Sequence, residues 1–279
     1  MNRLILLLGI VLAAVGQSAV SQTCTTLPPG AAALGYTVQM FHIVPTVTMV
    51  STTDTDSTHA LYPGLEFASV ATNLQELKFL SMVNGLFTLN YTGPGATTWV
   101  SSETHQATQG TIPLLLGSNG FYIEAGIRLS SSDPDHLPAF LIMPAEHNTS
   151  GSDHIASSPS GYENWLAINV LEEQAGTAQS NLINWEGIYP YYTRTMKYWR
   201  APTPTPFNWT VEHIFGMSFD PIAREVQFYL DGKPTLKASM ANAPTIVDTY
   251  HYYFILGARS HGLDKPYQMY VSYVAAYSK

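Results

Sequence analysis

Cysteine is almost absent from this chain. Cys24 is the only one in 279 residues, so no intrachain disulfide can form and the fold must be held by its core. Charge is also scarce. Charged residues make up 11% and the net charge is −8, which argues against nucleic acid or an anionic membrane surface as a partner. Beyond the N-terminus no apolar run is long enough to span a membrane. There is no internal repeat, and no amphipathic helix longer than a turn or two. The N-terminus itself differs: Met1-Asn2-Arg3, the apolar run Leu4 to Val15 and the small residues Ala19-Val20-Ser21 read as a signal peptide over residues 1–21. The expectation is therefore a secreted, periplasmic or cell-surface protein with no membrane attachment after cleavage. An uncleaved anchor is the alternative reading. A lipoprotein fits poorly, because Thr23 precedes Cys24.

Aromatic residues, by contrast, are plentiful at 12%, with 17 tyrosines. Many tyrosines among few charges suit a surface that stacks on sugars, and equally a tyrosine-rich sandwich core. Residues 22–35, rich in Thr, Pro, Gly and Ala, read as an N-terminal arm, and 36–279 as one all-β domain. Phe121, Ile123, Ala125, Ile127 and Leu129 alternate with Tyr122, Glu124, Gly126 and Arg128, the period of a half-buried strand. Asn84-Gly85 and Asp231-Gly232 signal hairpins. Trp209 to Phe219, Tyr250 to Ala258 and Tyr267 to Tyr277 read as further strands. Short strands, frequent turns and no helical period point to a jelly-roll sandwich of two antiparallel sheets.

One stretch organises the rest: Trp165-Leu166-Ala167-Ile168-Asn169-Val170-Leu171-Glu172. In a regular strand residues two apart share a face, so Ala167 and Asn169 point one way and Glu172 the other. A single β-bulge returns Glu172 to the first face. Ala167, Asn169 and Glu172 then line one concave surface, with Ile168 and one of Val170 and Leu171 in the core. Built this way, the stretch resembles the active-site strand of glycoside hydrolase family 16, the laminarinase and agarase type, which runs Trp-x-Glu-x-Asp-x-x-Glu. Other pieces of the chain are similar in order and spacing. They are Gly120-Phe121-Tyr122-Ile123-Glu124-Ala125, Pro138-Ala139-Phe140, Glu225 to Lys233 around Asp231-Gly232, and Pro266 to Val274.

The resemblance implies a concanavalin A-like jelly roll with a concave glycan cleft and a β-linked polysaccharide or oligosaccharide as partner. It puts the nucleophile at Ala167, the assisting acid at Asn169 and the acid/base at Glu172. Retaining hydrolysis needs two carboxyl groups about 5 Å apart, and a methyl group cannot supply one. The expectation is a glycan-recognising protein whose ordinary retaining hydrolysis is lost. Two alternatives stay open. One is an active glycosidase with Glu172 as acid/base and a second carboxylate from Glu146, Asp153, Glu163 or Glu186, Glu173 being expected on the other face. The other is a structural, self-associating surface protein. Trp165, Trp185 and Trp199 are the expected sugar-stacking aromatics. No cofactor is expected. A structural calcium ion fits the resemblance, with no ligands assigned to it. The loop histidines His136, His147 and His154 carry no diagnostic metal-ligand spacing.

Overall fold

A computed structural model describes residues 26–45, 80–93, 98–102, 114–148, 161–174, 176–188, 191–201 and 207–279. The stretch 1–21 read as a signal peptide, Cys24, Asp153 and His154 lie outside the described residues. The described strands are β1 (Val38–Ile43), β2 (Leu80–Val83), β3 (Leu86–Tyr91), β4 (Thr98–Ser101), β5 (Leu115–Leu116), β6 (Phe121–Leu129), β7 (His136–Pro144), β8 (Tyr162–Gln174), β9 (Thr177–Ile188), β10 (Tyr191–Arg200), β11 (His213–Asp220), β12 (Glu225–Leu230), β13 (Lys233–Ser239), β14 (His251–Ser260) and β15 (Tyr267–Ser278). The described helices are short: α1 (Pro29–Ala33) and α2 (Ala145–Asn148). None is long and apolar enough to cross a membrane.

The strands form two antiparallel sheets. An eight-stranded sheet runs β13-β12-β11-β6-β15-β3-β2, with β1 also on β15, and a seven-stranded sheet runs β10-β9-β8-β7-β14-β4, with β5 also on β14. The fold is a jelly-roll β-sandwich of two antiparallel sheets. Phe121, Ile123, Ala125, Ile127 and Leu129 all enter the layer between the sheets, where they meet Phe140, Ile142, Leu166, Ile168, Phe254 and Leu256 from the other sheet. Each fully buried side chain of this size is worth about 1.5–3 kcal/mol.

Both turn signals become two-residue hairpins, for the stated reason. Asn84 and Gly85 have φ of 52° and 77°, and Asp231 and Gly232 have φ of 50° and 72°. Positive φ at both positions matches the strand twist and favours Asn-Gly and Asp-Gly.

Several expectations are corrected. The β6 strand is not half-buried: Tyr122 is fully buried and Glu124 is 6% exposed. Part of the expected N-terminal arm, α1, lies on that outer face, and a Cβ on Gly30 would come within 3.0 Å of the Tyr122 ring. Strand β11 begins at His213 rather than Trp209, which sits in a turn and is buried. The stretch after Glu172, to which the sequence pattern assigned no strand, contains two long ones, β9 and β10.

Candidate functional site

Strand β8 pairs with β9 in regular register from Tyr162 to Asn169, then slips by one residue before Glu172, which faces Gln179. The same irregularity appears against β7, where Leu141 faces Asn169 and Phe140 faces Leu171. A bulge therefore sits at Val170-Leu171. Both of these residues are fully buried in the sandwich core, rather than one of them. A bulge sets two consecutive residues against one on the partner strand, and here both side chains go inward. Glu172 is thereby returned to the outer face beside Asn169. Asn169 Nδ2 donates to Glu172 Oε2 at 3.1 Å, and Asn181 Nδ2 donates to the same oxygen at 2.8 Å.

Register carries this face across three strands, since directly opposed residues share a face. Trp165 faces Trp185, which faces Arg194; Ala167 faces Ile183, which faces Met196. Asn169 faces Asn181, which faces Tyr198; Glu172 faces Gln179, which faces Arg200. Arg200 Nε donates to Gln179 Oε1 at 2.7 Å. One end of the face is thus aromatic and the other polar.

The aromatic end is a stack. The His147 ring lies 4.0 Å from Trp165, Trp165 lies 5.6 Å from Trp185, and the Arg194 guanidinium lies 5.5 Å from the Trp185 ring. Trp165 is fully buried and both of its ring faces are covered. It supports Trp185, which is partly exposed. Among the described residues the Trp165 indole N–H has no acceptor and the buried Asn181 Oδ1 no donor. Trp199 is on the reverse face, opposite Ser180, and packs against the sandwich core. Tyr198, opposite Asn181 on the outer face, is 54% exposed.

The floor expected at residues 165–169 is closed. Trp99, Ala139, Leu141, Met143, Trp165, Ala167, Ile183, Tyr253 and Ile255 form a buried apolar layer on the outer side of this sheet. Gly257 makes part of it possible: a Cβ there would lie 2.1 Å from the Trp99 indole, so only glycine lets the ring lie on the backbone. The solvent-facing part begins at Trp185 and Glu172 and continues over β10.

Of the carboxylates weighed as partners for Glu172, the described Glu146, Glu163 and Glu186 are engaged elsewhere. Glu146 holds His251 through its backbone N–H and through Nδ1 at 2.8 Å. Glu163 accepts from the Tyr192 hydroxyl, and Glu186 from Tyr162 at 3.2 Å. Counted along the strands at about 3.3 Å per residue, each is more than about 15 Å from Glu172. His136 stacks on Tyr267 at 4.2 Å, at the opposite end of β7 from His147. Among the described residues no three His, Cys, Asp or Glu come together as a metal site.

Sequence reasoning missed Asn181, Gln179, Arg194 and Arg200, because β9 and β10 were not read as strands. The signal was present in the alternation of Gln179, Asn181, Ile183 and Trp185 with Ala178, Ser180 and Leu182, a period of two.

No protein-family model and no curated sequence matches the chain. Solved structures do. A Bacteroides ovatus mixed-linkage glucan GH16 protein in complex with a G4G4G3G product is 13% identical, over 71% of this chain and 84% of that one, with a TM-score of 0.50. An endo-β-1,3-glucanase from Pyrococcus furiosus is 16% identical over 72% and 78%, with a TM-score of 0.48. A laminarinase from Flavobacterium sp. UMI-01 is 15% identical over 72% and 82%, with a TM-score of 0.47. The similarity of fold rests on the first of these.

Proposed function

We propose that the chain is an exported β-glycan-recognising protein in which ordinary retaining hydrolysis is lost. The observation that carries the reading is the bulged strand β8: it sets Ala167, Asn169 and Glu172 on one face, with a methyl group where the second acid would have to stand. A lone carboxyl can protonate a leaving oxygen but leaves the oxocarbenium ion without a nucleophile. Glu172 is held by two amide donors on one oxygen, which leaves its other oxygen to accept sugar hydroxyls. Trp185 offers an aromatic surface beside it, and the glucan named for the Bacteroides ovatus structure supports a β-linked polymer as the ligand class. Export rests on the N-terminal apolar run.

The test is reducing-end release and binding, with laminarin, lichenan, agarose and xyloglucan, on wild type, Glu172→Gln and Trp185→Ala. The expected result is binding to at least one polymer without release, weakened about tenfold in Trp185→Ala, or about 1.4 kcal/mol. Release that disappears in Glu172→Gln establishes the glycosidase alternative. Absence of binding to every polymer, with concentration-dependent assembly, supports the self-associating reading instead.

A further inference from the structure

Strand β10 is the edge of its sheet and is exposed along almost its whole length. It also concentrates positive charge. Arg194, Lys197 and Arg200 are three of the chain's 12 Lys and Arg residues, in a ten-residue strand with no Asp or Glu, in a protein of net charge −8. Register separates the three. Arg194 and Arg200 lie opposite Trp185 and Gln179 on the outer face, and Lys197 opposite Leu182 on the reverse face. Neither Arg194 nor Lys197 has a carboxylate partner among the described residues; Arg194 is instead 5.5 Å from the Trp185 ring.

We propose that the outer face of β10 binds the anionic substituents of a polysaccharide, sulfate esters or uronate carboxylates, carried on the sugar chain that Trp185 and Glu172 face. This deepens the glycan-recognising reading and rests on it. An arginine fork meets sulfate or carboxylate with two parallel N–H donors. The indole under Arg194 and the Tyr198 ring 5.3 Å from the Arg200 guanidinium hold the two forks over aromatic surface. Six residues of strand separate them, about 20 Å, so they would meet different residues of one extended polymer. A neutral glucan would need no such pair.

The experiment measures binding of the full chain to a sulfated galactan, a polyuronate, and neutral agarose and laminarin, at about 25 mM and about 300 mM NaCl, concentrations that bracket weak and strong screening. The expected result is that one anionic polymer binds at least about tenfold tighter than the neutral ones at low salt and that the preference shrinks at high salt. The tighter anionic polymer identifies sulfate or carboxylate. Arg194→Gln should cut the anionic affinity by about three- to tenfold, and Arg194→Lys, which keeps charge but loses the fork, by less. Lys197→Gln, the same charge loss on the reverse face, should leave it unchanged. An unchanged melting temperature shows that each variant is folded. Equal, salt-insensitive binding of neutral and anionic polymers overturns this inference and leaves glycan recognition standing. An equal loss in Lys197→Gln also overturns it, since bulk charge would then be responsible. No binding to any polymer overturns glycan recognition itself.

Discussion

The two sheets each carry a glutamate on the face turned away from the core, and the two are held in opposite ways. On the eight-stranded sheet, Glu124 takes the Tyr122 hydroxyl on Oε2 and the Tyr273 hydroxyl on Oε1, each at 2.8 Å. It is 6% exposed, under a layer that includes Ala31, Tyr36, Tyr229 and Tyr277. On the seven-stranded sheet, Glu172 takes both of its donors on Oε2, and Oε1 accepts none from the described residues. One carboxyl is spent on the fold; the other keeps an oxygen for solvent or ligand. Desolvation separates them further. Burial pushes the Glu124 carboxyl up from its ordinary value, and the two tyrosine hydroxyls pull it down without offsetting the burial.

The sharpest way to break this comparison is to delete each group. Glu124→Ala leaves two buried tyrosine hydroxyls without their acceptor and opens a void, a loss of about 2–5 kcal/mol. Glu172→Ala deprives the buried Asn169 and Asn181 amides of an acceptor, but at a half-buried position that water can enter, and costs about 1–2 kcal/mol. Thermal unfolding should show the first variant melting several degrees below the second. Equal melting temperatures would mean that Glu124 is no more structural than Glu172.

A smaller effect tests the amide clamp. Asn169→Asp replaces a donor by an acceptor and sets a like charge against Glu172, which costs about 1–2 kcal/mol at neutral pH. The cost should fade as the pair takes up a proton in acid. A variant equally destabilised at every pH would show that packing of the amide matters and its hydrogen bond does not.

How much of this was legible in the sequence depends on which residue did the signalling. The bulge could be read because Ala167, Asn169 and Glu172 fall two and three residues apart, and the spacing itself requires an extra residue. The Asn-Gly and Asp-Gly turns could be read because few other residues accept positive φ. The openness of the face could not. Trp165 and Trp199 look alike in sequence, yet one is roofed by His147 and the other faces the core, since sheet position and parity across β9 and β10 decide exposure. The burial of Glu124 was illegible for a similar reason: its cover comes from Pro29–Ala33, about ninety residues away in the chain, and from tyrosines on β12 and β15. Alternation within β6 reports two faces but not what lies on either.

The raised Glu124 carboxyl also sets a pH dependence. A group whose folded pKa lies above its unfolded value binds more protons in the folded state between the two. Its contribution is therefore full in acid and is lost as pH rises from about 4.5, the ordinary value, through the raised folded value. The slope cannot exceed about 1.4 kcal/mol per pH unit for one group. Glu124→Gln should flatten that part of the stability curve, measured by denaturant unfolding from acid to neutral pH, and Glu172→Gln should leave it in place. A curve that keeps its slope in Glu124→Gln assigns the titration to another group.

The smallest expected change in stability belongs to Glu172→Gln, and it separates the two roles of that side chain most cleanly. Glutamine has the same shape. Its carbonyl oxygen can take the place of Oε2 and accept from Asn169 Nδ2 and Asn181 Nδ2, while its amide nitrogen takes the place of Oε1 at the solvent side. Both donors stay satisfied, so the melting temperature should move by no more than the equivalent of about 0.5 kcal/mol. What changes is the outward atom, from a charged acceptor to a neutral donor. A sugar hydroxyl that donates to Oε1 loses a charge-assisted bond, worth about 1.5 kcal/mol or somewhat more. Glycan affinity should then fall about tenfold with stability intact, read by calorimetric titration beside thermal unfolding. Unchanged affinity would place the ligand away from Glu172. A large loss of stability would make this carboxylate, like Glu124, a part of the fold.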